Sequence, residues 1–301
     1  MVRACAAAGI DTVAVVRSEE AAARVPAPAR AARAELEADA LARAFEGATA
    51  VVHLAHIGAE RGGRTYQAVN VEGTRAVAAA ARAAGARRMV MFSGLGVARY
   101  GLAPRVTDPY FRSKREAEDV LFASGLEAVA FRPSYVLGAG EGLVPSLLEQ
   151  MRKGVVELPG DGSYRMQPAA VEDAAAAVLA AASSTTAAGP GFYPGRPPHR
   201  VFDLVGPEAL PVRVFVERVG VAARAAGAVG DFTVRSVPVE AADRAAAAGG
   251  WHGMPPDELD CLLCDEVSDF GPLQALLDRP LTPVAVALER ALRAALEGQR
   301  R

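Results

Sequence analysis

A tyrosine and a lysine stand four residues apart in the run YFRSK, at Tyr110 and Lys114. On a helix that spacing puts both side chains on one face, a turn apart. The chemistry open to such a pair is proton transfer. A phenol in water titrates near about pH 10 and is a poor acid or base at neutrality. A neighbouring ammonium favours the phenolate and lowers that value. The same amine can also hold a hydroxyl of a bound ligand. A plain solvated helix face would carry the same two residues, so the pair has meaning only in a fold that turns this face toward a cleft.

The elements around it describe such a fold. Residues 12–16 (TVAVV), 50–55 (AVVHLA), 89–92 (MVMF) and 126–131 (LEAVAF) are short apolar runs suited to buried strands. Between them lie helical stretches at 39–46, 70–84 and 110–124, each followed by a glycine, Gly47, Gly85 and Gly125. Strands separated by helices of this length imply crossover connections, hence a parallel sheet with helices on both faces. Ligands of such sheets bind beyond the carboxyl ends of the strands. Arg17, Ala55, His56, Ser93, Pro133 and Ser134 follow the strands directly and are the residues to question. Further on, a strand is expected at 201–205, an amphipathic stretch at 212–223, and a final helix with Thr282 as its N-cap and Pro283 in its first turn.

Composition limits the functions open to this chain. Of its 301 residues 51% are apolar and 23% charged, with a net charge of −2, so a packed core is expected and a nucleic-acid partner is not. No apolar run has bilayer-spanning strength; the stretch 174–191 is mostly small residues. Three cysteines in a chain this long make no disulfide framework, which points to the cytoplasm.

Five further segments flank the Tyr/Lys helix in a telling order: HLAH at 53–56, NVEGT at 70–74, RRMVMFSGLGV at 87–97, FRPSYVLGAGEG at 131–142 and QPAAVEDAAAAV at 167–178. Together with YFRSKREAE at 110–118, the series resembles the short-chain dehydrogenase/reductase superfamily in its extended and atypical branches. It is most similar to the NmrA-like proteins, the relatives of the NAD(P)H-binding accessory subunit of respiratory complex I, and epimerase/dehydratase-like proteins. The resemblance implies a Rossmann-type doubly wound parallel sheet over residues 1–180 and a smaller C-terminal cap or substrate region over 181–301. It implies a dinucleotide cofactor, a small carbonyl or alcohol substrate, and hydride transfer with Tyr110 as acid/base, Lys114 as its tuner and ribose holder, and Asn70 and Ser93 in support. Tyr135, Gly138 and Gly140 fall on the substrate-side loop. A second function compatible with the same resemblance is non-catalytic NADP(H) binding as a structural or redox-sensing module.

Three positions qualify that resemblance. The family opens with a strand and a Gly-x-x-Gly-x-x-Gly turn, whereas MVRACAAAG at 1–9 reads as the helix after such a turn, so a start upstream of Met1 is expected. Leu95 stands where the family's catalytic Ser or Thr is usual. Arg17 occupies the site where an acidic residue would hold a ribose hydroxyl, which favours NADP(H) over NAD(H). Other features carry less. Cys261 and Cys264 have metal-ligand spacing without a second pair and are expected in the core, so no metal site is assigned. His53 is expected to be a buried strand residue, Arg87 and Arg88 a solvated turn, and Asp173 part of a helix start.

Overall fold

The computed structural model describes residues 1–102, 105–106, 108–183 and 199–298. The chain runs α1 (Val2–Ala7), β1 (Val13–Val16), α2 (Glu19–Ala23), β2 (Arg30–Arg33), α3 (Ala38–Ala44), β3 (Ala50–His53), a π-helical segment (Gln67–Glu72), α4 (Gly73–Ala83), β4 (Arg88–Phe92), a 3₁₀ segment (Leu95–Arg99), α5 (Pro109–Phe122) and β5 (Glu127–Pro133). It continues through β6 (Val136–Leu137), α6 (Leu143–Arg152), β7 (Val155–Pro159), β8 (Arg165–Met166), β9 (Ala169–Ala170), α7 (Val171–Ser183) and β10 (His199–Leu204). The last elements are β11 (Leu210–Pro211), α8 (Val212–Ala225), β12 (Thr233–Val237), α9 (Val239–Gly249), α10 (Pro256–Leu262), α11 (Gly271–Leu277) and α12 (Val284–Gly298).

Two compact units result. The first holds Met1–Val97, Pro109–Arg132 and Ala175–Phe202; the second holds Ala98–Asp108, Pro133–Ala174 and Asp203–Arg301. Residues 133–174 therefore cluster with the C-terminal segment, and α7 passes from one unit to the other.

In the first unit four strands pair in the order β10-β5-β4-β3, with β3, β4 and β5 parallel. The apolar runs explain the placement: Met89, Val90, Met91, Ala130 and Phe131 are almost fully buried, as a strand covered on both faces requires. Leu41, Phe45, Val51, Ala81 and Leu121 complete this core. Gly85 and Gly125, at φ 77° and 79°, let the chain leave α4 and α5 in the left-handed conformation. A separate parallel pair, β1-β2, is not bonded to this sheet, and β1 is only half-buried along its length. β2 has the sequence RAAR and no apolar pattern from which to expect it.

Arg88 is a correction to the sequence reading. It is not in a solvated turn but is buried at the first position of β4, opposite Glu127 in the ladder. Its guanidinium donates to Glu127 Oε2 at 2.5 and 3.0 Å and to the Ala181 carbonyl at 2.6 Å, holding the end of α7.

The second unit is built around Leu137, Leu148, Met166, Phe215, Val219 and Leu288, where α6, α8 and α12 pack. β12 runs parallel to β7, and β6 parallel to β9. Thr282 does not cap α12 as expected; its backbone N–H and hydroxyl both donate to Asp173, at 2.7 and 3.1 Å. Asp173, 2% exposed, also accepts from Arg279 at 2.7 Å, so the start of α7 is clamped to the approach to α12. The proline-rich stretch 190–198 lies outside the described residues.

Candidate functional site

Helix α5 carries Tyr110 and Lys114 on one face, as their spacing requires. Lys114 is 2% exposed, and its ammonium donates to the Phe92 carbonyl at 2.8 Å, at the carboxyl end of β4. Burial pulls its pKa down to about 8, with the Glu118 carboxylate one turn on opposing the shift. Glu118 is itself buried and receives two bonds from Arg132, at 2.8 and 2.6 Å, which fastens α5 to β5. Tyr110 is half-buried, its ring against Tyr66 and Phe111 at 5.9 and 5.4 Å between centroids. A methyl group added at Gly94 would stand 3.9 Å from the Tyr110 hydroxyl, so the phenol lies over the backbone just after β4. At Gly96 an added methyl would sit 2.3 Å from the Phe111 ring, which only glycine avoids.

Asn70 sits in the π-helical segment, a rare geometry that recurs at functional sites. Both its donors and its oxygen are engaged. Its Oδ1 accepts from Ile57 N at 2.8 Å, and its Nδ2 donates to Ile57 O at 3.1 Å and to Ser113 Oγ at 2.9 Å. Ser113 in turn donates to Tyr110 O at 2.7 Å, so one asparagine joins the loop after β3 to the first turn of α5. Thr74 donates to Asn70 O at 2.6 Å and meets His53 Nε2 at 3.1 Å. His53 is buried as expected, and burial, with Lys114 and His56 beside it, lowers its pKa to about 3, so the ring is neutral. Tyr66, Thr74, Ser113 and Glu118 were not singled out from the sequence. Thr74 had a signal there as the last residue of NVEGT, and Ser113 and Glu118 lie within YFRSKREAE, while Tyr66 lies in none of the quoted segments.

Ser93 ends β4. Its N–H donates to Phe131 O at 2.7 Å, but its hydroxyl, in a residue 3% exposed, has no hydrogen-bond partner among the described residues. Such orphans are uncommon and call for an explanation. Leu95, in the adjoining 3₁₀ segment, is buried and apolar. Arg17 is exposed directly after β1, and Ala55 and His56 are exposed after β3, with His56 Nδ1 3.1 Å from Leu54 O.

The remaining sequence candidates belong to the second unit, including Pro133, the last residue of β5. Ser134 is buried, donates to Glu266 Oε2 at 3.3 Å and accepts from Gln167 N at 3.4 Å. Tyr135 is largely buried, which raises its phenol well above the usual value. Gly138 is required by packing, since a methyl there would lie 2.2 Å from Val171 Cγ1. Gly140 turns the exposed loop at φ 90°. Cys5, Cys261 and Cys264 are free thiols, and among the described residues no cluster of His, Cys, Asp and Glu could hold a metal. No helix among them is long and apolar enough to cross a membrane.

The first unit thus gathers a phenol, a buried amine and a buried unpaired hydroxyl around the end of one central parallel strand, where a bound group could take protons and hydrogen bonds. Comparison with known proteins gives this arrangement a context. The chain is 34% identical over 153 residues to the 2-alkyl-3-oxoalkanoate reductase of Stenotrophomonas maltophilia, covering 45% of this chain and 46% of that protein. It is 33% identical over 135 residues to the ceramide reductase of Caulobacter vibrioides, covering 45% and 41%. The matches thus span less than half the length of these curated relatives. Among solved structures, MoeE5 in complex with UDP-glucuronic acid and NAD superposes over 99% of this chain and 94% of its own, at TM-score 0.72 and 22% identity. An NADPH-dependent quinone oxidoreductase from Escherichia coli superposes over 98% and 94%, at TM-score 0.69 and 18% identity. At those identities the likeness shows a shared Rossmann-type fold. The family model described as NAD(P)H-binding matches residues 1–185, and on that match the chain belongs to the NAD(P)H-binding family.

Proposed function

We propose that the protein is an NAD(P)H-dependent reductase of a small carbonyl compound, working through Tyr110 and Lys114. The observation that carries this reading is the placement of both residues beside the end of β4, next to the unpaired Ser93 hydroxyl. The residues fit the cofactor: a buried hydroxyl without a partner and a lysine with donors to spare suit the polar end of a nicotinamide riboside. When bound, the dinucleotide supplies or accepts the hydride. Tyr110 gives its proton to the carbonyl oxygen, or takes it from the alcohol in the reverse direction. Lys114 remains charged below about pH 8 and favours the phenolate that this exchange leaves behind. Asn70 and Ser113 fix the start of α5 and so aim the phenol. Ala55, His56, Pro133 and Ser134 are retained as cofactor-side candidates by their place after the strands, with Tyr135, Gly138 and Gly140 toward the substrate. The name of the 34%-identical relative suggests a 3-oxoalkanoate as the compound reduced.

NADP(H) is the proposed cofactor because Arg17 is exposed directly after β1, suited to a 2′-phosphate. The free thiols fit the reducing cytoplasm expected from the sequence. The test is NADPH consumption with a panel of carbonyl compounds. Tyr110→Phe should lower turnover about 10²–10⁴-fold while leaving NADPH affinity within about twofold. Arg17→Ala should weaken NADPH and spare NADH. The apolar Leu95 in place of a hydroxyl favours a second reading, a dinucleotide-binding sensor without turnover. Tight NADPH binding with no consumption on any carbonyl would select it.

A further inference from the structure

The bonds of Asn70 and Ser113 fix the backbone at the start of α5, but they leave the Tyr110 ring to its own side-chain torsions. Helical spacing sets the direction of the Cα–Cβ bond and nothing beyond it. The staggered wells of those torsions carry a tyrosine hydroxyl to places several ångströms apart. Tyr110 is only half-buried, so its own helix does not select one orientation. Phe111, at 5.4 Å between ring centroids, belongs to that helix and moves with it. Tyr66 comes from elsewhere in the chain. Its ring lies 5.9 Å from that of Tyr110, with the planes at 60°, inside the range where aromatic pairs attract.

Tyr66 is held as a fixed wall would be. It is 4% exposed and tied at both ends: its N–H donates to Glu60 Oε1 at 2.6 Å and its hydroxyl to Gly58 O at 2.8 Å. Both acceptors belong to the loop after β3, whose Ile57 Asn70 grips on both backbone atoms. One step before Tyr66, Thr65 Oγ1 accepts from Ala68 N at 3.1 Å and secures the entry to the π-helical segment. All of these residues lie in the first unit, with Tyr110. A bond at the hydroxyl tip stops the Tyr66 ring from swinging, so what packs against that ring inherits its position.

We propose that Tyr66 is a positioning residue for Tyr110, its anchored ring holding the phenol over the backbone at Gly94, just after β4. Asn70 and Ser113 place the helix; Tyr66 places the ring upon it. Tyr66 acts through Tyr110 alone and exchanges no proton with the substrate. The inference deepens the reductase reading, on which its kinetic consequence rests, whereas the placement of the ring does not depend on that reading.

The test joins NADPH consumption with 3-oxooctanoate, by the full chain, to crystal structures of Tyr66→Leu and Tyr66→Phe. Tyr66→Leu should lower kcat about 10–100-fold, with KM for NADPH within about twofold. Tyr66→Phe keeps the ring pair and should stay within about threefold in kcat. In a Tyr110→Phe background, Tyr66→Leu should cost less than about twofold more, because no proton donor is left to aim. A loss through weakened folding would be the same in both backgrounds. The Tyr66→Leu crystal structure should show the Tyr110 ring in a new or a second orientation, and that of Tyr66→Phe should show it unmoved. Circular dichroism checks folding. If Tyr66→Leu does not fold, Tyr66→Phe decides alone: a moved Tyr110 ring there, or a loss above about tenfold, overturns the proposal. An unmoved Tyr110 ring in Tyr66→Leu, an unchanged kcat, or equal losses in the two backgrounds overturns it as well. A released ring in Tyr66→Leu without turnover in any protein, the unmutated one included, supports this placement and counts against the reductase reading instead.

Discussion

The polar groups around Asn70 and those around Glu266 answer burial in opposite ways. In the first, Asn70, Thr74 and Ser113 are all donors whose acceptors lie within the chain, at 2.6–3.1 Å. In the second, Arg99 and Tyr164 each bury a polar atom with no hydrogen-bond partner among the described residues. A satisfied network rigidifies and positions; an unsatisfied one lowers stability unless something else completes it. The difference separates residues whose bonds hold the fold in place from residues that the fold leaves unsatisfied.

Substitutions can break this comparison. Asn70→Ala should destabilise the fold by about 3 kcal/mol, because it takes the partner from both half-buried backbone groups of Ile57 and the donor from the buried Ser113 hydroxyl, which keeps only its bond to Tyr110 O; denaturant unfolding measures it, and a cost below about 1 kcal/mol would show the network to be dispensable. Two of the buried titratable groups should give opposite pH dependences. Glu266 is raised to about 7 from 4.5, so the folded state binds the extra proton and its own contribution to stability falls as pH rises from 4.5 to 7, against the rise that His53, lowered to about 3, contributes up to pH 6.5. Lys114 is lowered to about 8 from 10.5, so the unfolded state binds the extra proton and stability rises as pH goes from 8 to 10.5. Each arm is worth at most about 3.5 kcal/mol. Glu266→Gln should flatten the first arm alone and Lys114→Met the second alone, in unfolding curves taken across both windows. Smallest should be Arg99→Met, within about 1 kcal/mol of the unmutated protein in stability, since its Nη2 has no partner to lose. A loss of several kcal/mol there would mean the guanidinium serves the fold.

Much of the frame was legible in the residues. The runs AVVH, RMVMF and EAVAFRP are strands because they are apolar enough to be covered on both faces. The glycines after α3, α4 and α5 mark where those helices stop. RAAR could not be read as a strand, because an exposed edge needs no apolar pattern. Arg88 looked solvated because its cross-strand partner, Glu127, is 39 residues away and becomes its neighbour only through strand register. The same limit hid Glu118 and Glu266, whose surroundings are tertiary. The Tyr110/Lys114 pair was legible because both members lie on one helix, where spacing alone fixes the geometry. Thr282 was misread because its hydroxyl donates to the Asp173 carboxylate instead of accepting from the N–H groups of the helix start.

The π-helical turn from Gln67 to Glu72 has one more consequence. Tyr66, just before it, donates to Gly58 O at 2.8 Å, and Asn70, within it, grips Ile57 on both backbone atoms. Two handholds on adjacent peptide units depend on one wide coil. Deleting Ala68 would let the coil tighten to ordinary α pitch and swing Tyr66 about 100° away from Asn70. The number of residues in that coil, more than their identity, sets its reach, so a single-codon deletion there should cost more than most substitutions.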